Sequence, residues 1–190
     1  RLLESGIPTP DWQIVQHYRF KDSWTPLAGI GYPCVIKPIS EGSSVGCRIC
    51  PDIKTAREHL EKFLPTYGAM LVEQFVEGYE LTVGLLDGRT LPVIWIRPAT
   101  PFYDYESKYF RDDTQYAFNI PLPDDVLTRV RAAAEATWRV IGARHLARVD
   151  IMVDKITHKP NVLEVNTMPG FTTHSLVPMA ARHAGLDFGA

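Results

Sequence analysis

A pair of short strand-like segments near the C-terminal end constrains the fold more than any other part of the sequence. Residues 148–153 and 161–166 alternate between polar and apolar side chains, and a polar segment containing Pro160 joins them. Such alternation is typical of strands with one buried face, so the pattern predicts a β-hairpin. The hairpin determines which side chains can meet, because residues two apart on a strand share a face.

One face of this hairpin is predicted to carry a cluster of polar side chains. Arg148 and Asp150 share a face of the first strand, and Glu164 and Asn166 share a face of the second. Oxygen ligands of this kind suit a hard cation such as Mg²⁺, which binds through a few carboxylates together with substrate phosphates. The alternative is a solvated face with a surface ion pair. The opposite, core-facing side is predicted to consist of Val149, Ile151, Leu163 and Val165.

The composition is that of an ordinary globular protein. The chain has 190 residues, 45% of them hydrophobic, and a formal net charge of −2, which is enough for one large domain or two small ones. A charge so close to neutral argues against a general nucleic-acid-binding protein. No apolar run reaches the length of a membrane span and no N-terminal signal pattern is visible. We therefore expect neither a nucleic acid nor a membrane as a partner.

The cysteines favour a reducing compartment. There are three, Cys34, Cys47 and Cys50, and an odd number in a chain of this length is unlike a secreted disulfide scaffold. Cys47 and Cys50 form a single C-x-x-C pattern without a second pair or a nearby histidine, and a zinc site needs more ligands than that. We expect a cytoplasmic protein without a zinc site.

A glycine- and serine-rich segment follows a short buried-type strand in the first half of the chain. The strand covers residues 33–38 and contains Lys37, and residues 40–46 read Ser-Glu-Gly-Ser-Ser-Val-Gly. The free N–H groups and hydroxyls of such a loop can fold over phosphate oxygens, with Lys37 supplying positive charge. The segment is not a P-loop, because no Gly-Lys-Ser/Thr opens a helix. The alternative is an ordinary turn.

The next elements predict a small α+β subdomain. Asp52 is expected to cap a helix whose apolar residues lie on one face, and Pro65 and Gly68 are expected to end it. A further strand is expected at residues 70–73.

A second α+β subdomain is predicted to follow. Residues 81–86 and 90–96 flank an Asp87-Gly88 turn and read as a hairpin. We place the boundary so that one subdomain covers residues 1–74 and the other residues 75–190.

Residues 100–119 mix aromatic and charged side chains without a clear period. A long segment of this kind in a compact domain is often functional, such as a lid, and Lys108 can reach a phosphate from it. The alternative is a surface loop anchored by its aromatic side chains. The helix that follows is expected to begin at Asp124 or Asp125 and to end at Gly142.

A hydroxyl-rich turn, residues 171–175, is expected to lead into a helix from about Leu176. A helix N-terminus with Ser175 at its cap is a suitable site for an anion, here a carboxylate. His174 is interpreted as a turn residue that holds the backbone, with a catalytic role as the alternative.

Together, these motifs resemble the D-alanine–D-alanine ligases of the ATP-grasp superfamily. The resemblance covers nearly the whole chain, in the order and spacing of that family. It implies an ATP-grasp fold, in which two α+β subdomains clamp ATP between them. The segments that carry it are VIKP, EGSSVG, LVEQFVEGYELTV, FYDYESKY, ARVDIMVD and LEVNTMPGFTTHSLVP.

The resemblance also implies roles for particular residues. Those expected to contact ATP are Lys37 at the phosphates, Ser43 and Ser44 in the covering loop, Glu73, Gln74 and Val76 at the adenine, Glu80 at the ribose hydroxyls, Phe102 near the adenine, and Lys108. Lys108 and Tyr109 match a pair on the mobile ω-shaped loop of the family. Ser43 and Tyr109 are expected to work together in catalysis. The implied ligands of two Mg²⁺ ions, with Mn²⁺ as an alternative, are Asp150, Glu164 and Asn166. The implied oxyanion site is Arg148 with the N–H of Gly170, and the site for the carboxylate of the second substrate is Ser175 with Leu176.

The implied reaction is the ATP-dependent ligation of two D-alanines for peptidoglycan precursor synthesis. The carboxylate of one D-alanine attacks the γ-phosphate of ATP, and the amine of the second then attacks the resulting acyl phosphate. Because the carboxylate and the triphosphate are both anions, the metal ions, Lys37 and Lys108 are expected to offset their repulsion.

Two alternatives and one omission accompany this interpretation. A D-alanine–D-lactate ligase is disfavoured by Tyr109, and the other alternative is a non-catalytic ATP-binding module. The N-terminal domain of the family is not part of the sequence. We therefore expect a fragment that binds ATP–Mg²⁺ weakly and does not complete ligation, and a parent protein that forms a homodimer.

Overall fold

Two antiparallel sheets and the helices packed against them account for most of the secondary structure that the structure describes. The structure is a computed structural model that describes residues 1–17, 29–42, 44–97 and 114–188. The chain separates into two units, which we call the small unit, containing Pro10–Phe75, and the large unit, containing Arg1–Thr9, Val76–Arg97 and the described part of Gln115–Ala190. Residues 1–9, assigned to the first subdomain from the sequence, are grouped here with the large unit, because Ile7 is buried in its core.

The small unit is a four-stranded sheet covered on one face by a helix. The strands lie in the order β1-β4-β2-β3, and every neighbouring pair is antiparallel. Alternate strand residues such as Cys34, Ile36 and Val72 are completely buried against Ala56, Leu60 and Leu64 of the helix. The elements are β1 (Trp12–Gln16), β2 (Cys34–Pro38), β3 (Arg48–Cys50), α1 (Ile53–Tyr67) and β4 (Ala69–Gln74).

Helix α1 begins where the sequence predicts and ends at Tyr67 with the predicted Gly68 as its C-terminal cap, but the prediction that Pro65 also ends it is wrong. The carboxylate of Asp52 accepts a hydrogen bond from the Thr55 N–H at 2.8 Å, which confirms the predicted cap. Pro65 does not end the helix: it lies within the last turn, and the helix continues to Gly68, whose N–H donates to the Leu64 carbonyl at 2.8 Å. A proline removes only one helical hydrogen bond, and the apolar face of α1 keeps the last turn packed.

A buried histidine joins α1 to the end of the glycine- and serine-rich loop. His59 is only 5% exposed, and its Nε2 lies 2.8 Å from the carbonyl oxygen of Gly46. Because a carbonyl can only accept, Nε2 carries the proton of the neutral ring. Burial lowers the pKa of His59, although the hydrogen bond to Gly46 partly opposes that effect.

We expect the stability of the protein to decrease below about pH 6.5, the ordinary pKa of histidine, partly because of His59. The unfolded chain takes up a proton there that the buried ring resists, so this contribution is complete above that pH and is lost on acidification, by at most about 1.4 kcal/mol per pH unit. Thermal unfolding between pH 5 and 8 should show a shallower pH dependence for His59→Gln than for the wild type. His145→Asn is the control, since His145 is exposed and has a φ of 62°, which asparagine tolerates. Equal slopes for the wild type and His59→Gln would contradict the assignment.

The large unit is a six-stranded antiparallel sheet with helices on both of its faces. The strands are β5 (Gly78–Leu86), β6 (Arg89–Thr90), β7 (Ile94–Arg97), β8 (Gln115–Ala117), β9 (Leu146–Asp154) and β10 (Pro160–Asn166). Their order in the sheet is β10-β9-β5-β7-β8, with β6 paired to β5. The helices are α2 (Asp124–Ile141) and α3 (Leu176–His183).

The hairpin predicted around Asp87-Gly88 is present but is interrupted in its second strand. Residues 89–90 pair with β5 as β6, the chain leaves the sheet at residues 91–93, and pairing resumes at β7. The interruption lets Leu91 reach the small apolar cluster under α3, which also contains Ile94, Val177 and Ala180.

Strands β9 and β10 form the hairpin predicted from the sequence. In their register, Glu164 lies opposite Asp150 and Asn166 lies opposite Arg148, so the prediction that these four residues share a face is confirmed. The other face of β9, which includes Val149 and Ile151, is completely buried.

A bulge on β10 corrects the predicted core. Val162 lies opposite Ile151 and is buried, whereas Leu163, predicted to be the core residue, is only half buried. The register shifts between Val162 and Glu164, so one extra residue is inserted there. As a result, Val162 faces the core and Glu164 faces the open side, although residues two apart share a face in a regular strand.

A close backbone approach requires glycine at position 78. Gly78 pairs with Asp154 of β9, and a Cβ at this position would lie 2.8 Å from the carbonyl carbon of Val153 and 2.9 Å from the Lys155 nitrogen. Both atoms belong to backbone, so they cannot move aside as a flexible side chain can.

We expect Gly78→Ala to lower the free energy of unfolding by about 3 kcal/mol, because the added methyl group forces two paired strands apart. Urea unfolding followed by circular dichroism would measure the change. The matched control is Gly42→Ala, where a Cβ would meet no atom within 4 Å. A similar stability for the two variants would contradict the predicted clash.

Candidate active site

The open face of the large-unit sheet carries a cluster of interacting polar side chains. Asp150 lies at its centre, on β9, with its side chain 11% exposed. Arg148 donates a hydrogen bond to each carboxylate oxygen of Asp150, from Nε to Oδ1 at 2.9 Å and from Nη2 to Oδ2 at 2.8 Å. Glu164 of β10 lies beside this pair, with its Oε1 4.0 Å from Nη2 of Arg148. The structure therefore brings together three of the four residues predicted from the hairpin in one charged network.

A residue that sequence reasoning missed completes the surroundings of Asp150. Thr82 of β5 lies directly opposite Asp150, is 1% exposed, and donates its hydroxyl to Oδ1 at 2.6 Å. Such a short distance is typical of a hydroxyl that donates to an ionised carboxylate. The available signal was a single polar residue, the second of six, in the otherwise apolar run Leu81–Leu86.

The charge of Arg148 is fixed by its carboxylate neighbours. Burial alone lowers the pKa of its guanidinium, but the hydrogen bonds to Asp150 and the negative charges of Asp150, Glu164 and Glu80 outweigh that effect and raise the pKa above its ordinary value. Arg148 is therefore a permanent cation on this face.

Two further residues extend the same face along the sheet. They are Glu80 of β5, two residues before Thr82, and Tyr116 of β8. Glu80 is paired with Ile96 of β7, and Ile96 is paired with Tyr116, so Glu80 and Tyr116 lie on the same face. Burial and the negative charge of Glu80 raise the pKa of Tyr116, while the charge of Arg148 opposes them. Tyr116 is thus a neutral phenol at physiological pH, and sequence reasoning had given it no role.

We expect Arg148→Met to lower the free energy of unfolding by about 3 kcal/mol, because it leaves the buried carboxylate of Asp150 without its cation. The matched control is Arg129→Met, which breaks an exposed pair with Asp125 on α2 and should cost less than about 0.5 kcal/mol. Urea unfolding without divalent cations would measure both. Losses that agree within experimental error would mean that the Arg148–Asp150 pair does not stabilise this face.

The segment after β10 is folded back on itself by short hydrogen bonds. Asn166 Oδ1 accepts from the Met168 N–H at 2.9 Å, and Ser175 Oγ accepts from the Thr172 N–H at 3.0 Å. A Cβ on Gly170 would lie 3.1 Å from Ser175 Oγ, so Gly170, predicted for the oxyanion site, and Ser175, predicted for the substrate carboxylate, are close neighbours.

Helix α3 starts at Leu176 with Ser175 at its N-cap position, as predicted. Ser175 occupies the position before the helix and its hydroxyl makes no capping hydrogen bond, because it is engaged with Thr172. The backbone of this turn is held by Arg182, whose Nη2 donates to the Thr173 carbonyl at 2.7 Å, a task that the sequence analysis had given to His174. Leu176 packs against the apolar cluster under α3.

In the small unit, the open face of the sheet carries one buried ion pair. Lys37 of β2 and Glu73 of β4 lie on the face away from α1, with Nζ 2.6 Å from Oε2 and side-chain exposures of 23% and 8%. Glu73 is paired with Val35, the residue two before Lys37, which explains why the two charged side chains meet. The predicted phosphate-binding lysine therefore has a carboxylate partner in this structure.

Other predicted nucleotide-binding residues of this unit lie at its chain ends and in its loop. Gln74 ends β4, and its N–H donates to the Asp11 carbonyl at 2.8 Å. Ser44 adopts a φ of 59°, and its carbonyl accepts from the Cys47 N–H at 3.0 Å. Val76, predicted to be near the same adenine as Glu73, opens the next segment of the large unit.

Four predicted residues lie outside the described part of the chain. They are Ser43, Phe102, Lys108 and Tyr109. Their implied roles at ATP and in catalysis stay predictions.

The residues on the open face of the large unit fit a hard cation. Asp150, Glu164 and Asn166 offer only oxygen atoms, as Mg²⁺ prefers, and two carboxylates are the number it commonly takes from a protein. Within the described ranges, no group of three or more His, Cys, Asp or Glu side chains is placed to hold a metal ion together. None of the helices in those ranges combines the length and apolar character needed to cross a bilayer.

Comparison with known sequences identifies the relatives of this chain. A family model described as D-ala D-ala ligase C-terminus matches residues 2–190. The D-alanine–D-alanine ligase of Laribacter hongkongensis is 44% identical over 189 residues, which cover 98% of this chain and 59% of the relative. That of Actinobacillus pleuropneumoniae serotype 5b is 40% identical over 184 residues, covering 96% and 60%. The chain thus spans about three fifths of the length of these curated relatives.

Solved structures give the same result. The D-alanine–D-alanine ligase from Bacillus anthracis complexed with ATP superposes with a TM-score of 0.82 at 33% identity, covering 98% of this chain and 58% of that chain. The VanG D-Ala:D-Ser ligase from Enterococcus faecalis has a TM-score of 0.86 at 25% identity, covering 98% and 55%.

The class follows from the fold and from these likenesses: this is an α+β protein with the ATP-grasp fold, as the sequence predicted. Because the family match extends over nearly the whole sequence, the chain belongs to the D-ala D-ala ligase C-terminus family.

Proposed function

We propose that the complete gene product containing this chain catalyses the ATP-dependent ligation of two D-alanines to D-alanyl-D-alanine, through an acyl phosphate, for peptidoglycan precursor synthesis. The observation that carries the proposal is the shared face of β9 and β10, where Asp150, Arg148 and Glu164 form one network. In a chain of this family, that network is suited to holding a cation and an anionic acyl group.

The nucleotide-binding residues follow the family pattern. We infer that Lys37 binds the phosphates of ATP, Ser43 and Ser44 cover them, and Glu80 binds the ribose, while Glu73, Gln74, Val76 and Phe102 surround the adenine. The ion pair with Glu73 supports the role of Lys37, because it orients the Lys37 amino group at a position only 23% exposed. A phosphate that approaches Lys37 meets a cation that is already oriented.

We infer that Asp150, Glu164 and Asn166 hold two Mg²⁺ ions, with Mn²⁺ as an alternative. When bound, these ions would supply the positive charge that offsets repulsion between the substrate carboxylate and the triphosphate. The protein would add the ammonium of Lys108. Asp150 is suited to its part because two neighbours already fix its carboxylate.

We infer that Arg148 and the Gly170 N–H stabilise the oxyanion formed when the second amine attacks. Arg148 uses one N–H of Nε and one of Nη2 on Asp150, and a guanidinium has five N–H donors in all, so others stay available. A donor of this kind typically contributes about 3 kcal/mol to the transition state. Ser175 and Leu176 would hold the carboxylate of the second D-alanine, and Tyr109 with Ser43 would complete the site.

The surroundings in the cell follow from the same proposal. Its substrate, D-alanine, is a small molecule, and we infer a cytoplasmic homodimer that does not act on nucleic acid or membranes. The similar VanG protein is named a D-Ala:D-Ser ligase, so the identity of the second substrate is tested directly. D-serine and D-lactate are therefore competitors in the test.

The test is phosphate release and product analysis with the complete gene product, ATP and Mg²⁺, offering D-alanine, D-serine or D-lactate as the second substrate. We expect phosphate release to depend on D-alanine and D-alanyl-D-alanine to be the main product. Asp150→Asn should lower kcat by about 100-fold or more, because it removes a charged ligand. Asp125→Asn, at an exposed position on α2, is the matched control and should leave kcat unchanged.

No phosphate release at all would contradict the proposal and favour a non-catalytic ATP-binding module. Release that does not depend on D-alanine would contradict it as well and would indicate an ATPase without ligase activity. A mixed product with D-serine or D-lactate in excess would keep the ligase chemistry and correct the second substrate.

A further inference from the structure

Thr82 is the polar residue of β5 that faces the centre of the site. Its strand neighbours Leu81 and Val83 are completely buried in the core on the other face of the sheet. Thr82 itself is 1% exposed and lies directly opposite Asp150 in the β5–β9 register. A valine would fill the same volume in a strand, so packing alone does not require a hydroxyl here.

Among the residues that the structure describes, the hydrogen bonds to Asp150 leave one position on its carboxylate. Oδ1 accepts two, from Thr82 Oγ1 at 2.6 Å and from Arg148 Nε at 2.9 Å, whereas Oδ2 accepts one, from Arg148 Nη2 at 2.8 Å. An ionised carboxylate has about four lone-pair sites, two on each oxygen. The remaining site therefore belongs to Oδ2.

We propose that Thr82 is a positioning residue, whose hydroxyl, together with Arg148, fixes the Asp150 carboxylate so that Oδ2 alone faces a divalent cation. This inference rests on the proposed function, since it assumes that a cation binds at Asp150. The torsion that turns an aspartate carboxylate is intrinsically broad, and a hydrogen bond to one of its oxygens restricts it. Partners of this type commonly change metal affinity by 10–100-fold when they are removed.

A second buried threonine of the large unit provides an internal comparison. Thr137 of α2 is also completely buried, and its hydroxyl donates to the Ala133 carbonyl at 2.8 Å, within its own helix. Its bond satisfies the hydroxyl without orienting any charged side chain. Replacing either threonine by valine removes one buried hydroxyl of the same kind, but only Thr82 touches Asp150.

The experiment is an Mn²⁺ titration followed by electron paramagnetic resonance, with the complete gene product and a non-hydrolysable ATP analogue. We expect Thr82→Val to raise the dissociation constant of Mn²⁺ about tenfold. Thr82→Ser, which keeps the hydroxyl, should restore an affinity close to that of the wild type, and Thr137→Val should leave it unchanged. Thermal unfolding without Mn²⁺, measured for all variants, separates a loss of stability from a loss of affinity.

Thr82→Ala is measured in parallel, so that a hydroxyl-free variant is present even where Thr82→Val does not fold. Equal Mn²⁺ affinity in the wild type and in the folded hydroxyl-free variants would overturn the role of Thr82 and leave the proposed function intact. An equal loss of affinity in Thr137→Val would also overturn it, since the effect would then follow stability alone. Absence of Mn²⁺ binding by the wild type would overturn both the metal site of the proposed function and this inference.

Discussion

The paired hydrogen bonds between Arg148 and Asp150 are the interaction on which the large-unit site depends. A carboxylate as buried as Asp150 is expensive to keep ionised unless a cation and hydrogen-bond donors replace the water that it loses. Arg148 supplies the charge and two donors, and Thr82 supplies a third. The arrangement concentrates negative charge on a rigid central strand, where the position of each oxygen is set by the sheet and not by a loop.

The two faces of the large-unit sheet have different tasks. Helix α2 covers one face with an apolar core, while α3 covers only part of the other. Close packing at Gly84, where a Cβ would lie 3.2 Å from Leu91 and 3.4 Å from Val177, allows α3 to sit tightly on that part. The remainder of the face is left to charged and hydroxyl side chains. The apolar core and the candidate site thus lie on opposite sides of the same strands.

The sequence was sufficient where local patterns determine structure. The Asp52 cap, the β9–β10 hairpin and its polar face are encoded by neighbouring residues, and all are present. Two predictions were wrong: that Pro65 ends α1, and that Leu163 faces the core. Tertiary packing of α1 outweighed the tendency of proline to end a helix, and a bulge changed which residues of β10 face the core. Thr82 could not be assigned, since its role depends on a strand 68 positions away. Most of the candidate site residues are proposed only from the resemblance of the sequence to a known family.

Because of the bulge in β10, the consecutive residues Val162, Leu163 and Glu164 are under different structural constraints. Because the inserted residue reverses the parity of the strand, Val162 is constrained by shape in a dry interior, while Glu164 is constrained by charge at a wet surface. Leu163, between them, is half-buried, so it lies neither fully in the interior nor fully at the surface. In a library with every substitution at each position of β10, the tolerated substitutions would therefore not follow the usual period of two residues at the bulge. The substitutions tolerated at position 162 would give no information about those tolerated at position 164.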